Sequence, residues 1–363
     1  MSLPRHLLHV FSSFGLGGAE IRTAQLMNHF GSRFRHTVVA LDGTFDAARR
    51  LDPSVRITCC PAIRTSNPAR MIARFHRLFQ QFQPELLLTY NWGAIDAVCA
   101  AALIRGLPVI HTEDGFGSDE AGQQKARRVW FRRAVLPTVY RVVAPSQTLY
   151  HTMECMWKLP AGKFIYIPNG VDPERFQPRA SGMRARELVV GTIGRLRPEK
   201  QLHVLIDICA TLARSFPIRL IIAGDGPQRA FLEARTATLG ISDKTSFLGH
   251  QEDSTTVYKK FDIFALSSAT EQMPLSVLEA MSSGLPIVST DVGDIRDMVS
   301  SKNRPFIRKT CDDLLNALTM LAVDPELRLD VGHANRERCI EVFDIARMYA
   351  EYDKLYDEAR TRL

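Results

Sequence analysis

The chain has 363 residues, of which 45% are hydrophobic and 23% charged, a balance that suits a two-domain globular enzyme and excludes a disordered chain. Seven cysteines with no Cys-x-x-Cys spacing give neither a zinc pattern nor a disulfide framework, so a reducing, cytoplasmic setting is expected. The net charge of +7 is uneven: residues 1–180 hold 22 Lys and Arg against 13 Asp and Glu, +9, and residues 181–363 hold 24 against 26, −2, which directs the first half toward an anionic partner.

In chain order, the first residues lack the apolar core of a signal peptide, and residues 7–11 read as a first strand. It runs into Ser12-Ser13-Phe14-Gly15-Leu16-Gly17-Gly18-Ala19-Glu20 and a helix to Phe30. Glycines at a strand-to-helix turn let backbone approach a phosphate or sugar, which nominates Gly17 and Gly18. The third position of Gly15-x-Gly17-x-x-Glu20 is not glycine, which speaks against a dinucleotide dehydrogenase. Further strands are expected at 37–41, 86–89, 108–111 and 141–144.

Residues 68–82 are amphipathic, with Met71, Phe75, Leu78 and Phe82 on one face and Arg70, Arg74 and Arg77 beside it. Two readings stand: a surface helix packed on the sheet, or a basic helix lying on an anionic membrane. Lys125, Arg127, Arg128, Arg132 and Arg133 around Trp130-Phe131 carry the same two. Residues 94–104 are apolar but include Asp96 and fall short of the ~20 residues that span a bilayer. No nucleic-acid motif accompanies the charge, and nucleic acid is not an expected partner.

A Pro/Gly-rich polar passage follows Ile167-Pro168-Asn169-Gly170, and the domain boundary is expected near residues 175–187. Domains of 1–180 and 181–342 result, with a terminal helix at 343–363. Beyond the boundary come a strand at 188–193 ended by Gly194-Arg195, a helix at 203–214, a strand at 219–223 and the turn Gly224-Asp225-Gly226-Pro227. The apolar run 261–267 precedes a loop with Glu271; Pro274 then opens a helix with an apolar stripe of Leu275, Leu278, Ala280 and Met281. Gly284 stops it, and Ile287-Val288-Ser289-Thr290 forms a buried strand. Strands alternating with helices signal parallel α/β sheets. Glu271 flanks the mouth of a helix that contains Glu279; helix N-termini attract anions and carboxylates accept from hydroxyls, so a diphosphate flanked by sugars suits the segment. Ligands of open α/β sheets lie beyond the carboxyl ends of strands, where Glu271 falls.

Glu271-x7-Glu279, Gly284-x-Pro286-Ile287-Val288, Gly194-Arg195-Leu196-x-x-Glu199-Lys200, Ala223-Gly224-Asp225-Gly226-Pro227, Phe247-Leu248-Gly249 and Gly17-Gly18-Ala19-Glu20 together resemble family 4 of the retaining nucleotide-sugar glycosyltransferases. The resemblance covers essentially the whole chain, most specifically residues 189–300. It implies a GT-B architecture: two Rossmann-like domains facing across a cleft, the donor held mainly by the second, and a terminal helix crossing back to the first. It implies that Arg195 and Lys200 meet the departing diphosphate, that Glu271 binds hydroxyls of the transferred sugar and Glu279 those of the ribose, and that Leu248 and His250 lie near the base. Gly194, Gly224, Asp225, Gly226, Met273, Pro274 and Leu275 complete the implied donor site, with Gln272 and Met273 differing from the usual residues.

A larger departure is Asp114, before Gly115, where many relatives have histidine. Asp114 is placed at the reaction centre, and Asn91, His111 and Glu113 are acceptor-side candidates. No Asp-x-Asp pair occurs, so neither a metal nor another cofactor is expected. The expected activity is transfer of a sugar from a nucleoside-diphosphate sugar to a glycan or lipid-linked acceptor, peripherally at the inner face of a membrane. A GT-B sugar-nucleotide epimerase and a catalytically weak sugar-nucleotide-binding partner subunit are the alternatives.

Overall fold

The computed structural model describes residues 4–60, 65, 67–104, 106–116, 120, 123–179 and 187–360. It divides into two compact units, Met1–Pro168 with Met348–Leu363, and Asn169–Arg347. Of the linker expected at 175–187, positions 180–186 lie outside the described residues.

In the first unit β1 (Arg5–Phe11), β2 (Phe34–Ala40), β3 (Arg56–Cys60), β4 (Leu86–Tyr90), β5 (Val109–Thr112), β6 (Arg141–Ala144) and β7 (Phe164–Tyr166) form one sheet in the order β3-β2-β1-β4-β5-β6-β7. In the second, β8 (Leu188–Ile193), β9 (Ile218–Ala223), β10 (Thr245–Gly249), β11 (Ile263–Leu266), β12 (Ile287–Thr290) and β13 (Ile307–Arg308) follow the order β10-β9-β8-β11-β12-β13. Every ladder is parallel, and β1 meets β2 from Arg5↔Phe34 to Phe11↔Ala40. Such strands are buried on both faces and need unbroken apolar runs. Leu86-Leu87-Leu88 in β4, Val142-Val143-Ala144 in β6 and Leu220-Ile221-Ile222-Ala223 in β9 supply them. The sequence pattern does not mark β3 or β7, because both are sheet edges without a buried run.

The helices of the first unit are α1 (Gly18–Phe30), α2 (Pro68–Phe82), α3 (Ile95–Ala101), α4 (Ala126–Val135) and α5 (Gln147–His151). Those of the second are α6 (Leu202–Leu212), α7 (Arg229–Thr238), α8 (Thr255–Tyr258), α9 (Leu275–Ser282), α10 (Ile295–Met298), α11 (Cys311–Val323) and α12 (Pro325–Phe343), before α13 (Ile345–Arg360). Asn67 caps α2 by accepting from the Arg70 N–H, and Met71, Phe75, Leu78 and Phe79 bury its apolar face in the core. That face is therefore spent on packing, and Arg70, Arg74 and Arg77 stand exposed. On α4, Arg128 and Arg132 do not belong to a basic surface. Arg132 is 1% exposed, and Arg128 donates to Glu120 at 2.7 Å.

From Met348 onward α13 belongs to the first unit. Tyr349 stacks on His29 at 4.0 Å, Tyr356 meets Phe30 and Phe34, and Asp357 pairs with Arg5 and Arg33 at 3.0 Å. No helix among the described residues is long and apolar enough to cross a membrane. Strand order reverses between β1 and β4 and again between β8 and β11. Loops part at such switch points and leave a crevice beyond the strand ends.

Candidate active site

At the second unit's switch point the loop after β8 delivers Lys200 and the loop after β11 delivers Glu271. Lys200 Nζ donates to Glu271 Oε1 at 2.5 Å, and Ser268 Oγ donates to the same oxygen at 2.7 Å. The loops are laced together: Ser267 Oγ donates to the Lys200 and Gln201 carbonyls, and Ala269 N–H to the Glu199 carbonyl at 2.8 Å. Gly194, Arg195, Lys200, Leu202 and Leu266 line a small cavity here, with Arg195 exposed at its rim.

Two glycines let the loops close on one another. A Cβ on Gly224, where φ is +127°, would lie 1.9 Å from the Gly194 carbonyl oxygen, and one on Gly293, φ +56°, would lie 2.5 Å from the Glu271 and Gln272 carbonyl oxygens. Neither backbone conformation nor space admits a larger residue. Asp225 is engaged locally, accepting from the Gly226 N–H at 2.7 Å and facing Arg229 at 3.4 Å.

Pro274 sits one residue before α9 rather than in its first turn, in extended conformation, with its carbonyl accepting from the Val277 N–H at 3.1 Å. α9 begins four residues after Glu271, and its first N–H groups carry partial positive charge. Glu279 accepts from the Tyr258 hydroxyl at 2.8 Å and from Ser254 at 3.5 Å. Burial, reinforced by the Glu279 charge, pushes the Tyr258 phenol well above its ordinary range, so it remains a donor. Met273 does not offer its side chain: it is 4% exposed in the core, while its carbonyl accepts from Asn169 Nδ2 at 2.7 Å. Leu275 and Leu248 are half-buried against the same core, and His250 is exposed.

In the first unit Gly17 caps α1 and Gly18 begins it, at the end of β1. Asp114, after β5, is held by Arg22 of α1, whose two terminal nitrogens take both carboxylate oxygens. The Asp114 N–H donates to Asn91 Oδ1 at 2.7 Å, and Asn91 itself adopts φ 58°. His111 and Glu113 are interior groups, 0% and 1% exposed. His111 meets Thr89 at 2.9 Å and Glu113 at 3.4 Å, and Glu113 accepts from Arg132 at 3.3 Å. Arg132 in turn lies among Trp92, Phe116 and Trp157, at 5.0, 5.5 and 4.8 Å from the ring centroids, within cation–π range. Sequence reasoning missed Arg22, Ser268 and Tyr258. Only Arg22 left a signal, a charge on the α1 face shared with Ala19, Thr23 and Leu26.

Two family models divide the chain, Glycosyltransferase Family 4 over residues 16–175 and Glycosyl transferases group 1 over residues 173–338. The chain is 24% identical over 335 residues, 84% of each chain, to the Escherichia coli UDP-Gal:alpha-D-GlcNAc-diphosphoundecaprenol alpha-1,3-galactosyltransferase. It is 28% identical over 277 residues, 70% of this chain and 69% of the other, to the GDP-mannose-dependent alpha-mannosyltransferase of Mycobacterium tuberculosis (strain CDC 1551 / Oshkosh). Among solved structures, Anabaena HepE in complex with UDP-glucose shares the fold, with a TM-score of 0.79 at 20% identity over 97% of this chain and 99% of that one. Two parallel-sheet units, the laced Lys200 and Glu271 loops and both family models lead to one assignment: the chain is a GT-B glycosyltransferase and belongs to glycosyltransferase family 4.

Proposed function

We propose that this glycosyltransferase moves a sugar from a nucleoside-diphosphate sugar to a glycan or lipid-linked acceptor with retention of anomeric configuration and without a metal ion. The observation that carries the reading is the convergence of Lys200, Ser268 and Glu271 at the mouth of α9, with Glu279 held by Tyr258 inside that helix. As the bond from sugar to diphosphate breaks, Lys200, Arg195 and the α9 end meet the negative charge that develops on the departing oxygens. Arg supplies a planar fork and Lys a point charge. Glu271 accepts from the sugar's hydroxyls and Glu279 from the ribose, with Gly194, Gly224 and Gly226 giving the backbone room. In the first unit Asp114 offers its carboxylate to the acceptor hydroxyl, and Gly17, Gly18 and Asn91 lie in the same unit.

The HepE complex with UDP-glucose and the two relatives named for UDP-Gal and GDP-mannose support a nucleotide-sugar donor. The galactosyltransferase named for a diphosphoundecaprenol acceptor supports a lipid-linked one, and the inner face of a membrane is where we propose that the transfer takes place. Anionic lipid then meets Arg70, Arg74 and Arg77 through charge alone, because the apolar face of α2 is in the core. Thermal unfolding with UDP, GDP and ADP tests the donor: a ligand at ~100 times its Kd stabilises by roughly 2.7 kcal/mol. With the donor so identified, Lys200→Ala is expected to lower kcat by about 10²-fold, and a chelator to leave the rate unchanged. Interconversion of the sugar nucleotide without acceptor would replace the reading with that of an epimerase.

A further inference from the structure

Two groups that the proposed function sends to different parts of the donor are bonded to each other. Lys200 Nζ donates to Glu271 Oε1 at 2.5 Å, with the side chains 26% and 10% exposed. The bonds from Ser267 and Ala269 to the 199–201 backbone keep their loops in place. Phosphate oxygens that recruit the Lys200 ammonium therefore compete with Glu271 for it. A carboxylate largely removed from water that loses its cation keeps the Ser268 hydroxyl but is left short of a donor, and gains from another. Sugar hydroxyls are donors, and a nucleoside diphosphate without its sugar brings none to Glu271.

We propose that the Lys200–Glu271 pair sets the preference for the nucleotide sugar over the nucleoside diphosphate left after transfer. The intact donor takes Lys200 with its phosphates and compensates Glu271 with its sugar. Once the sugar has passed to the acceptor, Glu271 draws Lys200 back and the diphosphate is released. This rests on the donor-site reading above and adds to it a means of product release.

Calorimetry on the full chain with UDP and UDP-glucose, and with GDP and GDP-mannose in parallel, reads both affinities for wild type, Glu271→Gln, Lys200→Met and the double variant. Gln still meets hydroxyls but no longer holds the ammonium. Glu271→Gln is expected to bind the diphosphate about threefold tighter, the size of a partly exposed ion pair, and the nucleotide sugar about tenfold weaker. In the Lys200→Met background the tightening disappears. Glu271→Ala, for which the same tightening is expected, takes over if the Gln variant does not fold. Unchanged or weaker diphosphate binding by the Glu271 variants, while Lys200→Met still weakens it, overturns the inference and leaves the donor site standing. A Lys200→Met protein that binds both ligands as wild type does removes the donor site as well.

Discussion

A guanidinium with 1% of its side chain exposed is unfavourable unless a carboxylate meets it, and Asp114 meets Arg22 with both oxygens. Burial pushes the Arg22 guanidinium down, and the charge and hydrogen bonds of Asp114, together with Tyr352 and Tyr90, raise it above its ordinary value. The place where many relatives carry histidine thus holds an ion pair, and a hydroxyl arriving at Asp114 finds acceptor oxygens rather than an imidazole. Arg22→Met is expected to destabilise the chain by about 3–5 kcal/mol by stranding the carboxylate, and adding Asp114→Asn should recover part of that loss in urea unfolding. A double variant no more stable than the single one would show that the cost lies in packing. Lys200 and Glu271, which the structure brings together, sit in motifs with fixed spacing, and that made them candidates in the sequence. Tyr258 and Ser268 were not, because what they touch is decided by how loops meet. The sequence leaves the roles of His111 and Glu113 open, and the burial of β5 and its following turn makes them interior groups.

At the scale of elements, β1 and β2 bring three histidines into the first unit. His9 Nε2 meets His36 Nδ1 at 3.0 Å, His9 Nδ1 meets the Tyr90 hydroxyl at 3.1 Å, and His6 meets Thr37 at 2.8 Å. Burial pushes His36 from its ordinary 6.5 to about 4, with the His6 charge adding to the shift, and burial holds His9 well below its ordinary value. The unfolded chain then binds more protons than the folded one between those limits. Stability is whole above about pH 6.5 and lost as pH falls toward 4, on the order of 3 kcal/mol from His36 alone. Thermal unfolding followed from pH 8 to pH 4 should show this decline, and His36→Leu should flatten it; an equal slope in the variant would assign the loss to other groups, His9 and the carboxylates among them. Central strands such as β4, β6 and β8 were legible because burial on both faces demands apolar runs. The basic face of α4 misled, because Glu113 and Glu120, which engage Arg132 and Arg128, come from elsewhere in the chain.

For the molecule as a whole, the order of motifs was enough to expect two parallel-sheet domains, and two such sheets are present, each with its own core. The first is completed by the far end of the chain, through Tyr349, Tyr352, Tyr356 and Asp357. A chain stopped after Arg347 is expected to leave residues 1–168 open to limited proteolysis while residues 169–347 resist. Equal resistance of both would show that α13 is dispensable to the first unit.

The same return of the chain sets an order of events at the ribosome. The unit that emerges first is closed last, by residues made only after the whole second unit. At translation rates of 5–20 residues per second, making the intervening unit takes about 10–40 s. For that interval the aromatic face of Phe30 and Phe34 stays uncovered, within reach of chaperones and of neighbouring nascent chains. The yield of folded enzyme therefore depends on how well that face is shielded until the last helix arrives.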